Sequence, residues 1–373
     1  MTDGPRRQLP GRRWFDARLT RRAFGAAGLA LAGRRLAAPR ARIAHAQTPV
    51  APTGQVKAIY MNPMITTSAD GFFALVDIID RTELNALVID VKEEGVYVDT
   101  QVSLYRDSNA VNPSLDVAGA LRTLHKHAIR PIARLVVFKD NAVAAARPDL
   151  AVIDTNTGQP WIDAGGNAWL NPFKIEVWDA ATALGEELAK QGFAEIQFDY
   201  VRFPSDGDLS VLDFRQTVDE GTRVKAISGF LGAAHRRLAA VGAQTGADVF
   251  GFTLLLDDIG IGQNVRKLRD AVDWVCPMVY PSHFPDGSID VPGQPNDYPA
   301  QTIEISLDAG ADRIPVDRLR PWLQDFTLPG MSPYGAPEVR AQIDAAEAAG
   351  AEGWMIWNAS NEYHVDAFHP APA

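Results

Sequence analysis

The 373-residue sequence has a single cysteine, Cys276, so the chain can form no internal disulfide bond. It contains neither a His-Glu-x-x-His motif nor a cysteine cluster, which excludes the common types of zinc hydrolase. A Gly-x-Ser-x-Gly elbow is also absent, and Gly260-Ile-Gly262 lacks the rest of a dinucleotide fingerprint. These absences argue against serine-hydrolase and nicotinamide chemistry, and we expect no metal and no cofactor.

Basic residues are scarce outside the amino-terminal segment. Residues 1–46 hold eleven arginines and two acidic residues, whereas the remainder carries 25 basic and 44 acidic residues, a net charge of −19. A surface of that sign disfavours nucleic acid and anionic membranes as partners. No apolar run approaches the roughly 20 residues that a spanning helix requires, so we expect no stable membrane span.

The first 46 residues have the composition of a targeting segment. Two arginines directly precede the apolar run 23–33, and Ala44-His45-Ala46 supplies small residues for cleavage. We interpret residues 1–46 as a twin-arginine-type export signal and residues 47–55 as a linker. The protein is then expected in the periplasm, outside the cell or at the cell envelope; the alternative is a disordered basic tail.

Strand-like and helix-like segments alternate from residue 56 onward, which is typical of a parallel sheet with crossover helices. The eight predicted strands are Val56–Met61, Ala86–Val91, Arg130–Phe138, Glu195–Phe203, Asp248–Leu255, Trp274–Tyr280, Leu319–Asp325 and Gly353–Trp357. Eight parallel strands close a TIM barrel, so residues 56–373 are predicted to form one α/β domain, a (β/α)8 barrel. Active sites of such barrels lie at the carboxyl ends of the strands.

The fourth predicted strand carries the most informative acid. Period-two alternation places Glu195, Gln197 and Asp199 on one face, so Asp199 ends the strand facing the barrel interior. A carboxylate there needs either a partner or a chemical role. By the same alternation, further side chains are expected inside this rim: Asp90, Lys92, Arg134, Thr253, Asp257, Met278, Tyr280 and Gln324.

Paired rim carboxylates suit hydrolysis of a glycosidic bond, in which one acid protonates the leaving oxygen and a second carboxylate attacks or activates water. We predict Asp199 as nucleophile or base and Asp257 as general acid. The substitutes for Asp257 are Asp258, Asp90 and Glu93. The structural alternative gives Asp199 a salt bridge to Arg202 or Arg134, and makes Asp257 and Asp258 a chain turn.

Polar and aromatic side chains near the strand ends are candidates for holding a sugar, because an aromatic ring offers an apolar face for its C–H edges. The predicted substrate-binding residues are Asp90, Lys92, Arg134, Arg202, Tyr280, His283, Gln324, Trp357 and Asn358. Trp161 and Trp169 lie in a Gly/Asn/Asp-rich loop that we expect over the rim. Other aromatic residues near strand ends, including Tyr60 and Trp322, also fit core positions.

Two other functions stay open at this point. A non-catalytic glycan-binding barrel of the cell envelope fits the absence of an unmistakable Glu–Glu or Glu–Asp pair. A lysine-dependent lyase fits Lys92, since a strand-end lysine suits Schiff-base chemistry.

Six sequence blocks resemble a bacterial family of barrel glycoside hydrolases long catalogued as a domain of unknown function. The blocks are Val88–Lys92, Val137–Asp140, Phe198–Pro204, Pro277–His283, Trp322–Thr327 and Trp354–Asn361, within a match from about Val56 to Tyr363. The resemblance implies a TIM-type barrel, an exported or envelope-associated protein, and action on a polysaccharide. The chain departs from the family pattern at Phe284, where tyrosine is expected, and at Glu362, where arginine is expected.

Overall fold

The structure is a computed structural model that describes residues 54–62 and 69–372. The predicted export signal and most of the predicted linker lie outside the described residues.

Eight parallel strands follow one another in chain order around a closed barrel. They are β1 (Val56–Met61), β2 (Ala86–Lys92), β3 (Arg130–Val136), β4 (Glu195–Asp199), β5 (Gln244–Phe250), β6 (Trp274–Met278), β7 (Trp322–Gln324) and β8 (Gly353–Trp357). β8 pairs in parallel with β1, with Gly353 opposite Val56, and this pairing closes the cylinder. The predicted (β/α)8 barrel is confirmed.

Helices connect the strands on the outside of the barrel. They are α1 (Ala69–Asp80), α2 (Ser103–Asp107), α3 (Val117–Lys126), α4 (Asn141–Ala146), α5 (Ile175–Gln191), α6 (Glu220–Ala239), α7 (Val265–Leu268), α8 (Pro299–Ala311) and α9 (Ala336–Ala348). Local signals set several ends: Asp116 caps α3, Asp219 and Thr222 form a capping box on α6, and Gly192 ends α5 with φ +122°. None of the described helices is long and apolar enough to cross a bilayer.

The barrel interior is a packed core rather than a channel. Its apolar side chains form a cluster separate from the larger one beneath the helices. The members are Val56, Ala58, Tyr60, Ala86, Val88, Ile132, Cys276, Tyr280, Trp322 and Met355. Below them, Arg320 Nη1 donates to both carboxylate oxygens of Glu195 at 2.8 and 2.9 Å, and both side chains are fully buried. This buried pair lies at the amino-terminal end of β4 and fills that end of the barrel.

Strand β5 differs from its prediction. It spans Gln244–Phe250, and residues 251–254 form a 3-10 helix where the sequence pattern predicted continued strand. The apolar run after Phe250 packs outward instead, with Leu254 buried against Gly310 of α8. The strand therefore ends five residues earlier than predicted, and this shift decides which acid reaches the barrel interior.

Candidate active site

Arg134 on β3 gathers three carboxyl groups at the carboxyl end of the barrel. Its Nη1 donates to Asp90 Oδ1 at 2.5 Å, and its Nε donates to Asp199 Oδ2 at 3.0 Å while Nη2 contacts the same oxygen. Asp248 Oδ2 on β5 lies 3.8 Å from the same Nε. Because both distances start at one atom, the Oδ2 atoms of Asp199 and Asp248 are at most about 7 Å apart, so the two acids are not too far apart for a two-carboxylate mechanism.

Aromatic side chains surround this cluster and supply further hydrogen bonds. The Tyr60 hydroxyl donates to Asp90 Oδ2 at 2.5 Å, and Trp322 Nε1 donates to Asp248 Oδ1 at 2.8 Å. Trp357 stacks on Tyr60 with ring centroids 4.0 Å apart, and the Arg134 guanidinium lies 5.1 Å from the Trp357 ring. Asp90 and Asp248 are thus each held by a hydrogen bond from an aromatic side chain.

Burial changes the proton affinity of two of the acids. The pKa of Asp248 is raised well above its ordinary value, first by burial and then by the negative charge of Asp199. Burial also raises the pKa of Asp90 to about 6, and the Arg134 charge offsets part of that effect. Asp248 therefore retains a proton in the folded protein at a pH where an exposed aspartate is ionised.

Asp199 is the member of the cluster that keeps some contact with solvent. Its side chain is 8 % exposed, against 0 % for Asp90 and 1 % for Asp248. The backbone N–H of Tyr200 donates to Asp199 Oδ1 at 2.5 Å, and Tyr200 itself has φ +51°, a strained conformation for a tyrosine. Strained residues concentrate at functional sites, where the surrounding structure holds them in place.

A second acid with solvent contact lies just beyond the end of β2. Glu93 is partly exposed, and its negative charge contributes to the raised pKa of Asp90 and to that of Tyr60. It was one of the predicted substitutes for Asp257. Glu93 is thus a partly exposed carboxylate close to the Arg134 cluster, whereas Asp199 keeps only slight contact with solvent.

The structure does not bring Asp257 to this cluster. Its side chain is 41 % exposed, and Oδ1 accepts from Arg313 Nη1 at 2.7 Å, just past the end of α8. Asp258 pairs with Arg223 and accepts from the Gly262 N–H at 2.5 Å, so it stabilises a turn. Because β5 ends at Phe250, both acids lie in the outer loop, and the general-acid role predicted for Asp257 has no geometric basis.

Lys92 also lies away from the cluster. The pairing register of β2 shifts between Asp90 and Lys92, and the Lys92 side chain, 1 % exposed, leaves the barrel interior. Its Nζ contacts Asp140 Oδ2 at 2.8 Å and donates to the Val136 carbonyl at 2.9 Å, facing the Tyr105 ring of α2. This placement argues against Lys92 as a substrate ligand or Schiff-base lysine.

Three other predicted sugar ligands are engaged by the protein itself. Arg202 is buried among the rings of Trp169, Tyr200 and Phe250, and donates to its own loop. Gln324 accepts from the Ser282 N–H at 3.0 Å and donates to the Phe326 carbonyl at 2.8 Å. Asn358 donates to the carbonyls of Asp325 and Glu362. These side chains shape the rim loops.

The loop tryptophans are core residues, contrary to expectation. Trp161 is 2 % exposed and Trp169 is 0 % exposed, and Trp169 Nε1 donates to Asp163 Oδ2 at 2.9 Å. Neither ring is available to stack on a ligand. Long loops rich in Gly, Asn and Asp still need an apolar anchor, and the two indoles serve as that anchor.

Tyr280 and His283 lie on the β6 side of the opening. Tyr280 is 7 % exposed, and its pKa is raised first by burial and then by the negative charges of Asp248 and Asp199. The exposed His283 ring packs edge-on against Tyr280 and Phe326, with centroids 5.4 and 5.9 Å away. Trp357, Tyr280 and His283 are thus the predicted ligands that remain at the opening.

Asp248 is the acid that the sequence interpretation missed. The strand was placed from Asp248 to Leu255, which made Asp248 its first residue instead of one of its last. A signal was present in the segment Thr245-Gly-Ala-Asp248-Val249, where the apolar residues alternate with glycine and aspartate. Read with period two, that segment puts Asp248 on the inner face.

A closed eight-stranded barrel with acids at its carboxyl end defines the class of TIM-barrel proteins with a rim site. Within that class, the chain belongs to the family described as "Putative glycosyl hydrolase domain", whose model matches residues 58–363. The family predicted from the six sequence blocks is confirmed. No curated protein sequence matches the chain.

Solved structures share the fold at low sequence identity. The PgaB (BpsB) glycoside hydrolase domain from Bordetella bronchiseptica is 14 % identical with a TM-score of 0.62, covering 86 % of this chain and 100 % of that one. The spore cortex-lytic enzyme SleL of Bacillus cereus is 12 % identical with a TM-score of 0.53, covering 84 % and 73 %. A class V chitinase of Pseudomonas fluorescens Pf-5 is also 12 % identical, with a TM-score of 0.53 and coverage of 84 % and 98 %.

Proposed function

We propose that this protein is a glycoside hydrolase that cleaves a polysaccharide of the bacterial envelope, with Asp199 as the carboxylate that contacts the reacting sugar. The observation that carries the proposal is the Arg134 cluster, in which Asp199 and Asp248 lie at most about 7 Å apart at the carboxyl end of the barrel. Membership of a glycosyl hydrolase family supports it. The arginine-paired segment 20–24 supports the export of the protein to that compartment.

Asp199 acts as nucleophile or base in this proposal, because it combines solvent contact with a fixed orientation. The requirements for the proton donor are divided between two residues. Asp248 has the raised pKa and the spacing, whereas Glu93 has the exposure. The buried Asp90 joins Tyr60 to Arg134 and is a positioning residue.

Replacing Asp199 by Asn should lower turnover by about 10³-fold or more while leaving folding intact, because the amide keeps the size of the side chain but cannot attack or act as a base. The assay is release of reducing ends from a panel of envelope polysaccharides. Asp257→Asn is the matched control, since Asp257 is exposed on the outer loop, and it should retain the wild-type rate. Wild-type turnover by Asp199→Asn would refute the assignment.

The proton donor is identified by comparing Asp248→Asn with Glu93→Gln. Loss of the donor removes the alkaline limb of the pH–rate profile and affects substrates with poor leaving groups most. We expect this change in Asp248→Asn if the buried acid delivers the proton, and in Glu93→Gln if the exposed acid does. If both pH–rate profiles match that of the wild type, the proposal that these carboxylates catalyse hydrolysis is wrong.

A non-catalytic glycan-binding barrel is the second candidate, and the small exposure of Asp199 favours it. Only 8 % of that side chain is open, and Arg134 occupies one of its oxygens through two nitrogens. This function predicts that the wild type binds a glycan and releases no reducing ends from it. Under this function, Asp199→Asn would bind as the wild type does.

A further inference from the structure

A cavity opens at the carboxyl end of the barrel, beyond the ends of β7 and β8. Its volume is about 440 Å³. Among the residues that line it are Asp325, Phe326, Ser360, Glu362, Tyr363 and His364. None of the predicted catalytic residues belongs to this set.

A buried carboxylate holds an exposed imidazole at the wall of this cavity. Asp325 is fully buried, and its Oδ1 contacts His364 Nδ1 at 2.6 Å while its Oδ2 accepts from the His364 backbone N–H at 2.9 Å. The His364 side chain is 45 % exposed. With Nδ1 bound to Asp325, the ring has one orientation, and Nε2 is the nitrogen left for a ligand.

Tyr363 joins this cavity to the carboxylate cluster. Its hydroxyl contacts the Tyr60 carbonyl and accepts from the Tyr60 N–H at 3.1 Å. The hydroxyl of Tyr60 in turn donates to Asp90, which is bound by Arg134. The cavity wall and the carboxylate cluster are therefore connected through the side chains of two tyrosines.

The chemistry of the lining selects the kind of sugar. Glu362 is exposed and Asp325 is buried, and neither lysine nor arginine is among the residues that line the cavity. Phe326 offers an aromatic edge, and Ser360 and His364 offer hydrogen-bonding groups. The carboxylate of Glu362 repels an acidic sugar and tolerates a neutral or amino sugar.

We propose that this cavity is a saccharide subsite next to the Asp199 site, an inference that rests on the proposed function. In it, His364 is oriented by Asp325 and binds a neutral or amino sugar, while Glu362 disfavours acidic sugars. His364 and Glu362 are then binding residues. Of the sugar-binding residues predicted from the sequence, Asn358 alone lines this cavity. Its side-chain amide donates to the carbonyls of Asp325 and Glu362.

The test is binding to the full chain carrying Asp199→Asn, measured by saturation-transfer NMR with three tetrasaccharides. These are tetramers of N-acetylglucosamine, glucosamine and galacturonic acid. We expect the first two to bind and the third not to bind. His364→Ala should weaken both by about fivefold through loss of a hydrogen bond, and Glu362→Gln should weaken the glucosamine tetramer alone.

His125→Ala is the matched control, because that histidine is exposed on α3, and it should change nothing. His364→Gln retains a donor toward Asp325, so its thermal unfolding separates a lost ligand contact from a disrupted loop. Unchanged binding by His364→Ala, equal binding of galacturonic acid, or no binding by the parent chain would each overturn the subsite. Binding through His364 without hydrolysis by the wild type would instead leave the subsite standing and refute the proposed hydrolase.

Discussion

Asp248, whose pKa is raised by burial, lies beside Asp199, which is ion-paired with Arg134. Its Oδ1 is bound by Trp322, while its Oδ2 has no hydrogen-bond partner among the described residues and lies toward Arg134. Two ionised carboxylates this close would repel each other in a buried site. Retention of a proton by Asp248 removes that repulsion and leaves Arg134 to Asp199 and Asp90.

Asp248→Asn should gain stability relative to the wild type as the pH rises. The pKa of Asp248 is raised by burial, so above about pH 4, where an unfolded aspartate ionises, the folded wild type holds a proton that the unfolded chain has released. The wild-type free energy of unfolding therefore falls by up to about 1.4 kcal/mol per pH unit from this residue, until the folded pKa is passed. Asparagine does not titrate and retains the acceptor for Trp322.

Urea unfolding of both proteins at about pH 4, 5.5 and 7 measures this difference. The difference in unfolding free energy should shift toward the variant with each step. A difference that is constant across the three values would mean that Asp248 is ionised in the folded protein, and the assignment of its proton would be wrong.

Among the structural elements, β2 and β5 decide the composition of the site. The register shift in β2 after Asp90 turns Lys92 outward to Asp140, which also caps α4 by accepting from the Val143 N–H at 2.9 Å. The early end of β5 places Asp248 inside the barrel and Asp257 outside it. The irregularities in these two strands thus put Asp248 in the site instead of Asp257. They also move Lys92 out of the site.

Lys92→Met should destabilise the fold by about 3–5 kcal/mol, because it leaves the carboxylate of Asp140 buried without its cation. Lys126→Met, on the exposed end of α3, is the control and should change stability by less than about 0.5 kcal/mol. Chemical denaturation measures both. The same burial predicts that borohydride with a carbonyl compound does not label Lys92, and labelling there would revive the lyase function.

For the whole molecule, the junction of β8 with β1 is the point at which the barrel closes. Gly353 pairs with Val56 there and has φ +120°, and a Cβ at this position would lie 2.0 Å from the Val56 carbonyl oxygen. Only glycine fits a contact of that kind. The closure also keeps the Arg134 cluster in one geometry, because Trp357 and Tyr60 lie on the two strands that meet.

Gly353→Ala should lower the free energy of unfolding by about 3–5 kcal/mol, since the methyl group forces β8 away from β1. Gly232→Ala is the contrasting control: Gly232 is inside α6 with nothing nearer than 3.6 Å to the added Cβ, and the change should stabilise by about 0.5–1 kcal/mol. Thermal unfolding separates the two. Equal effects would show that the junction tolerates a side chain and that closure does not depend on this glycine.

The sequence by itself determined the eight strands, their order, the family and the inward direction of Asp199, because strand periodicity and turn signals act over a few neighbouring residues. The partners of Asp199 were decided only by the tertiary structure. Arg134, Asp199 and Asp248 come from three strands, and their meeting depends on pairing registers that place Arg134 opposite Gln197 and Asp248 opposite Cys276. Where a strand ends depends on what its next residues pack against. Leu254 packs under α8, so β5 ends before Asp257 and the site contains Asp248 instead. That contact is between distant residues and cannot be read from a local sequence pattern.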